Sequence, residues 1–405
     1  MRILILASEI PAPSYRPGSP RLYAFCEEMV KIHELFLYTL RGDAERYSWL
    51  QTDPAYAPLF RTVEIIPDPP RKAGWLNRQL HRLTLSPYFL TRHLFPGYSR
   101  EIGEHVKKLV RENRIDLIYV DCIPMTQYVS PALGVPVISD MHDCLSMLFR
   151  KAIGMRRSPI HKLRFLFESR SLAAWERSVA RFCFPIILNS PVDEKAIQDA
   201  APLAETLMIP NGVDVGYFKP SGLPTEKNRI VFVGVMSYLP NENAVLYFAE
   251  EVFPLVRKKI PDAEFWIVGK DPSEKVRALA SQQGVHVTGT VDDVRSYLGS
   301  ARVFVSPVRY GAGMKNKILN AMAMERPVVS TTFSLDGIAA VPDRDVLVGD
   351  TAERFSDQVA RVMRDDVLAA TLGRNGRVLV QDRYSWEAAI DILKPALSRH
   401  EAKRV

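Results

Sequence analysis

The chain has 405 residues, of which 47% are hydrophobic and 24% charged. That length and balance suit two or three folded domains with cores of their own, and they exclude a disordered or fibrous protein. With 53 lysines and arginines against 46 aspartates and glutamates, the net charge of +7 points to an anionic partner, without choosing among nucleotide, nucleic acid and lipid headgroup.

The chain opens Met1-Arg-Ile-Leu-Ile-Leu-Ala7. This apolar run is shorter than the core of a signal peptide, and Glu9 with a proline cluster follows at once, so it reads as a buried first strand. No apolar run is long enough to span a bilayer. Further strands are predicted at 35–40, 62–66, 117–120, 135–139 and 185–189. After a break they resume at 230–235, 263–268, 285–288, 303–306, 328–331 and 345–348. Amphipathic helical stretches lie between them, among them 100–112, 244–259, 273–283 and 315–324. Strands apolar on both faces require a parallel sheet covered by helices. Two such alternating series predict an α/β protein of two doubly wound, Rossmann-like domains. The expected boundaries are 1–202, 203–383 and a terminal helix at 384–405. The spacing leaves open whether that helix, with Trp386, Ile390 and Leu393 on one face, crosses back to the first domain.

Four cysteines, Cys26, Cys122, Cys144 and Cys183, are scattered in apolar surroundings with no metal-type pair. They read as reduced core residues of a cytoplasmic protein. Two stretches break the alternation. Residues 71–100 carry Arg71, Lys72, Arg78, Arg82, Arg92 and Arg100 among aromatic and aliphatic side chains, with no acid, and 149–170 is similar. Basic and aromatic residues together suit an anionic membrane surface, in which case the protein sits at the inner face of a membrane. They equally suit helices that pack their apolar sides inward, while nucleic acid is the less favoured partner.

The densest chemical signal is Val308-Arg-Tyr-Gly-Ala-Gly-Met-Lys-Asn-Lys317, a strand end and glycine loop leading into a helix. Gly311 and Gly313 allow a close backbone approach, and Lys315 and Lys317 fall in the first helical turn. Cations at the positive end of a helix dipole oppose it, so this pattern expects a polyanion such as a phosphate chain.

Several other segments join this one. They are Phe232-Val-Gly-Val-Met-Ser-Tyr-Leu-Pro-Asn241, Glu250-Glu-Val-Phe-Pro254, Ile209-Pro-Asn-Gly-Val-Asp214, Asp262-Ala-Glu-Phe-Trp-Ile-Val-Gly269 and Val287-Thr-Gly-Thr-Val-Asp-Asp-Val294. With Val137-Ile-Ser-Asp-Met-His142-Asp143 in the first half, the set resembles the family 4 retaining glycosyltransferases, almost continuously over the second half. The resemblance implies a GT-B fold, two Rossmann-like domains facing each other across a cleft. It implies a nucleotide diphosphate sugar as donor in the second domain and a hydroxyl acceptor, lipid-linked or polysaccharide, at the first. It further implies front-face displacement with retention and no cofactor or metal, so that protein cations must meet the leaving-group charge.

The catalytic candidates implied are His142, Lys317 and Lys315. Gly18, Gly234, Tyr238, Asn241, Arg309, Gly311, Gly313, Asn320 and Asp336 are the donor-binding candidates, and Arg16, Asp143 and Glu176 the acceptor-side ones. Ser19 and Arg21 stand beside Gly18. Asp143 also reads as a helix N-cap, and Glu176 reads better as a helix-surface charge. The chain departs from the family at Asn320, where a glutamate normally stands, and at Glu325-Arg326, where a glycine is common. Three other readings therefore stay open: a catalytically silent homologue serving as a partner subunit, a nucleotide-sugar epimerase, and a nucleic-acid binder.

Overall fold

The computed structural model describes residues 1–14, 16, 18–40, 56–66, 74, 76–77, 87, 89–154, 158–311 and 313–402. The chain divides into two compact units. One comprises Met1–Pro210 and Ile390–Val405, the other Asn211–Ala389.

Among the described residues of the first unit, seven strands form one parallel sheet in the order β3-β2-β1-β4-β5-β6-β7. They are β1 (Arg2–Ala7), β2 (Glu34–Leu40), β3 (Thr62–Ile66), β4 (Leu117–Asp121), β5 (Val137–His142), β6 (Cys183–Leu188) and β7 (Thr206–Met208). The central strands are buried on both faces, as helices packed on each side require. Strand order reverses between β1 and β4, and the register there aligns Ala7 with Asp121 and Asp121 with Asp140. Ligands of doubly wound sheets bind at the carboxyl ends of strands beside such a reversal.

The helices that bear on this unit are α1 (Pro20–Met29), α2 (Pro96–Glu112), α3 (Leu145–Ile153), α4 (Pro159–Val179) and α5 (Pro191–Ala200). Ser19 caps α1 by accepting from the Leu22 amide, with Pro20 set at the first helical position, and Ser190 caps α5 in the same way. Three-residue β7 was not foreseen. Its Thr-Leu-Met sequence is too short for a pattern, yet it carries the first unit past the expected boundary at 202 to Pro210.

The second unit has six parallel strands in the order β10-β9-β8-β11-β12-β13. They are β8 (Glu226–Val233), β9 (Glu264–Val268), β10 (Val285–Gly289), β11 (Ala301–Ser306), β12 (Val328–Ser330) and β13 (Leu347–Val348). The order reverses between β8 and β11. Phe232, Phe248, Phe253, Phe265 and Phe355 meet in one core on the helix-covered side. The helix expected at 244–259 is interrupted: α6 (Leu239–Tyr247) passes through a π turn at Phe248–Val252 into α7 (Phe253–Lys259). Pro254 has no amide hydrogen to donate to the preceding turn, and the wider turn absorbs the loss.

Downstream lie α8 (Asn316–Ala323), α9 (Ala352–Arg364), α10 (Asp366–Arg383) and α11 (Trp386–Ala402). The residues of α11 from Ile390 onward belong to the first unit, where Arg399 pairs with Glu205 at 2.8 Å and His400 Nε2 lies 2.9 Å from the Phe184 carbonyl. No described helix is long and apolar enough to cross a membrane.

Candidate functional site

In the second unit the candidate residues gather at the carboxyl ends of β8 and β11. β8 ends at Val233, and Gly234 follows. A Cβ on Gly234 would lie 2.8 Å from Asn241 Nδ2 and 3.1 Å from Lys317 Nζ, so only glycine leaves room for that pair. Asn241, in the first turn of α6, is 6% exposed. Its Nδ2 donates to the Val235 carbonyl at 2.9 Å, and its Oδ1 accepts from Lys317 Nζ. The same ammonium stands 4.4 Å from the Phe232 ring centroid. Burial and the neighbouring Lys315 lower the pKa of Lys317 to about 7.

Helix α8 starts without a side-chain cap, because Lys315 occupies the cap position. By contrast α1, α5, α9 and α10 are each capped by a serine, threonine or aspartate. Uncapped first-turn amides are ready donors for an anion. Lys315, expected within the first turn, sits one position before it, donates to the Gly313 carbonyl and lies 5.2 Å from the Phe333 ring. Gly311 and Gly313 have φ of 132° and 69°. Tyr238 sits at the α6 cap position, half exposed, and its hydroxyl comes within 3.7 Å of a Cβ built on Gly311. These residues form one cationic patch.

Three other donor candidates stand apart from the Lys317–Asn241 pair. Arg309 lies over the Tyr247 ring at 3.7 Å and donates to Asn243 Oδ1 at 3.5 Å. Asn320 is half-buried one turn further along α8, and Asp336 is exposed at the end of a short helical turn.

In the first unit the chemistry gathers at the carboxyl ends of β1, β4 and β5. His142 ends β5 with φ of 67°, and Cys122 follows β4 with φ of 69°. Non-glycine residues persist in this region only where their surroundings over-determine them. His142 Nε2 lies 3.0 Å from Asp121 Oδ1 and 3.7 Å from Asp140 Oδ1, and its Nδ1 lies 3.9 Å from Cys122 Sγ. Burial opposes charge on this imidazole, but Cys122, Asp140 and Asp121 raise its pKa well above the usual histidine range. Asp140 accepts from Arg21 Nε and from the Tyr119 hydroxyl, each at 2.8 Å. Burial opposes its charge as well, yet Arg21 and His142 hold it below the ordinary carboxylate range. Arg21, expected near a phosphate, is thus buried in an ion pair, and it also donates to the Pro210 carbonyl at 3.0 Å.

Gly18, with φ of 144°, lets its loop close on the segment that follows β1, since a Cβ there would lie 2.4 Å from the Ile10 carbonyl oxygen. The amide of Arg16, in the same loop, donates to the Pro13 carbonyl at 2.9 Å. Asp143 is not the helix cap. Cys144 holds that position without a side-chain bond, and burial with Asp193 raises the Asp143 carboxyl above its usual range. Glu176 is not a surface charge either. It is 1% exposed on α4, accepts from the Ser146 amide at 3.0 Å, and lies 3.7 Å from the Cys144 thiol. The polarity of glutamate on a helix hides this, because the partner amide belongs to another helix.

Sequence reasoning passed over Asp121 and Cys122, and Cys122 is a half-buried strand-end residue beside two charged groups rather than a core thiol. A carboxylate directly after an apolar parallel strand was the available signal.

Residues 227–365 match the family model described as "Glycosyl transferases group 1". The chain has the two-domain α/β fold of GT-B proteins, and over the matched segment it is similar to the group 1 glycosyltransferases. A Mycobacterium tuberculosis phosphatidyl-myo-inositol mannosyltransferase is 29% identical over 200 residues, covering 45% of this chain and 51% of that protein. A GDP-mannose-dependent alpha-(1-6)-phosphatidylinositol monomannoside mannosyltransferase from the same organism is 22% identical over 378 residues, covering 86% of this chain and 90% of that protein. The match to the first of these thus spans about half of the relative's length. Among solved structures, Anabaena Alr3699/HepE, crystallised with UDP and glucose, superposes with a TM-score of 0.65 at 14% identity, over 98% of this chain and all of the other. That likeness concerns the fold.

The Gly234–Asn241–Lys317 group lies inside the matched segment, and the His142 group lies outside it.

Of the two basic stretches, residues 71–73, 75, 78–86, 88 and 155–157 lie outside those described. In the described part, Phe89 meets the Trp175 ring edge-on at 6.3 Å, and Arg92 stands over the same ring at 5.6 Å. In 149–170, Phe149 and Phe165 stack at 5.2 Å between α3 and α4, while Ile160, Leu163 and Phe167 are exposed.

Proposed function

We propose that the protein is a retaining glycosyltransferase of family 4 type that moves a hexose from a nucleoside diphosphate to a hydroxyl group in glycolipid or polysaccharide assembly. One observation carries the reading. The Lys317 ammonium is held on Asn241 Oδ1 beside Gly234, at the uncapped start of α8. A diphosphate leaving group needs a preorganised cation and free amides, and this corner supplies both without calling on a metal. Relatives named for mannosyl transfer to phosphatidylinositol-based lipids make GDP- and UDP-hexoses and lipid-linked hydroxyls the first substrates to assay.

His142, charged and tied to Asp121, would meet the donor sugar and the attacking hydroxyl. The protein would work at the inner face of a membrane, with the exposed Ile160, Leu163 and Phe167 side chains and nearby Lys162 and Arg164 toward anionic lipid. A second reading, a homologue that binds donor without turning it over, is favoured by Asn320 alone, where a carboxylate would grip the ribose more strongly.

A thermal-shift screen of nucleoside diphosphates, followed by donor hydrolysis and transfer assays, tests the proposal. Stabilisation by one nucleotide with turnover lost in Lys317→Ala supports transfer. Stabilisation without turnover supports the silent homologue. No stabilisation by any nucleotide overturns both.

A further inference from the structure

We propose that Asp121, Cys122 and His142 bind a thiophilic divalent cation of the zinc type, and that its binding withdraws His142 from the transfer reaction. The second half of the proposal rests on the role given to His142 above. The first rests on geometry alone.

One donor atom from each of the three residues lies within 4.8 Å of the other two. Tetrahedral zinc, with bonds of about 2.0–2.3 Å, places its ligands roughly 3.5 Å apart, so contraction by about 1 Å completes the set. Small rotations of a thiol and an imidazole supply that movement without moving the strands. The donors are one oxygen, one nitrogen and one sulfur. Magnesium and calcium seek oxygen alone, while a thiolate with an imidazole selects zinc, cobalt or cadmium.

The backbone aims the group. β4 and β5 are neighbours in register, with Asp121 opposite Asp140. Immediately after Asp121, Cys122 takes φ 69° and ψ 142°, and His142 takes φ 67° at the matching end of β5. These two unusual conformations bring the thiol and the imidazole together. Outer partners fix the site: Asp140 lies 3.7 Å from His142 Nε2 and is itself gripped by Arg21 and Tyr119. The site also has an entrance, since the His142 side chain is 24% exposed and Cys122 is half-buried.

Coordination requires the thiol as thiolate and the imidazole with a free lone pair, so binding strengthens as pH rises. Three protein ligands leave a fourth position for water. The transfer chemistry proposed above uses no metal, so occupancy here acts as an inhibitory switch.

The test uses the full chain and cobalt(II), whose tetrahedral thiolate complexes absorb in the visible and near ultraviolet. Titration is expected to give a thiolate-to-cobalt charge-transfer band that zinc abolishes and magnesium does not. Cys122→Ser should lose the band, and Asp121→Asn should weaken binding at least tenfold. The other three cysteines stay in both variants and serve as the internal control. Zinc should also raise the melting temperature of the wild type but not of Cys122→Ser. No band in the wild type, or an equal band in Cys122→Ser, overturns the site. In the activity arm, micromolar zinc should inhibit the wild type and spare Cys122→Ser. Binding without inhibition overturns the switch and leaves the site standing. A cobalt band in a chain with no transferase activity upholds the site while the functional reading falls.

Discussion

Lys317 and Asn241 come from opposite sides of the strand reversal in the second unit, and the ammonium of one donates to the amide oxygen of the other. The same amide is anchored by its Nδ2 to the Val235 carbonyl. The lysine is thus held in place before any ligand arrives. If that preorganised cation stabilises the leaving diphosphate, Lys317→Ala should lower kcat on the order of 100-fold or more. Asn241→Ala leaves the ammonium buried without its acceptor and should cost about 1–3 kcal/mol in stability. Steady-state kinetics and chemical denaturation of the two variants check both values. Unchanged kcat in Lys317→Ala would remove the leaving-group role.

The same lysine sets a pH dependence. Its folded pKa is lowered to about 7 from 10.5, first by burial and then by Lys315. In the ligand-free protein the penalty of burying the charge is fully present below about 7. Above that the folded state holds fewer protons than the unfolded chain, so the contribution of this group to stability rises with pH up to about 10.5. Binding a diphosphate favours the charged form, so affinity should instead fall as pH rises above about 7. Calorimetric titration of a nucleoside diphosphate between pH 6 and 9 reads the slope. Lys317→Arg, charged throughout, should flatten it, and an equally steep slope in that variant would assign the titration elsewhere.

How legible was this in the sequence? Twelve of the thirteen strands among the described residues correspond to the apolar runs, because a strand buried on both faces of a parallel sheet must be apolar throughout. The strand-to-helix junction that carries Gly311, Gly313, Lys315 and Lys317 was legible too, since an apolar run, two glycines and an amphipathic stretch follow one another there. What stayed hidden depends on partners distant in sequence. Glu176 has the composition of a helix surface and becomes buried because the Ser146 amide, 30 residues away, donates to it. Arg21 looks like a loop cation and is taken by Asp140, 119 residues on. Cys122 carries no local mark, since its geometry comes from a left-handed backbone that its own residue type disfavours.

Arg21 and Asp140 are both nearly inaccessible, with side chains 5% and 1% exposed. Removing one partner of such a pair strands the other charge. Arg21→Ala should therefore destabilise the first unit by about 3–5 kcal/mol. It should also free Asp140 to draw on His142, its remaining charged neighbour at 3.7 Å. Arg21→Met with Asp140→Asn should recover much of the stability, since no buried charge is then left alone. Urea denaturation of the single and double variants separates the two effects. Equal losses in both would show that packing rather than charge pairing decides.

The exposed face of α4 provides the last test. Ile160, Leu163 and Phe167 are 78%, 54% and 38% exposed, and their spacing places them along one side of the helix. Phe165, between them in sequence, is instead stacked on Phe149, so packing inside the unit accounts for only part of the aromatic content. Burying three such side chains in a lipid interface would contribute several kcal/mol at about 25 cal/mol per Å², with nearby lysines and arginines adding attraction to anionic headgroups. Sedimentation with vesicles containing phosphatidylglycerol should pull down the wild type at low salt and less of it at high salt. Ile160→Ser, Leu163→Ser and Phe167→Ser together should abolish sedimentation without lowering the melting temperature, because exposed side chains contribute little to the fold. Retained binding in the triple variant would move the membrane contact away from α4.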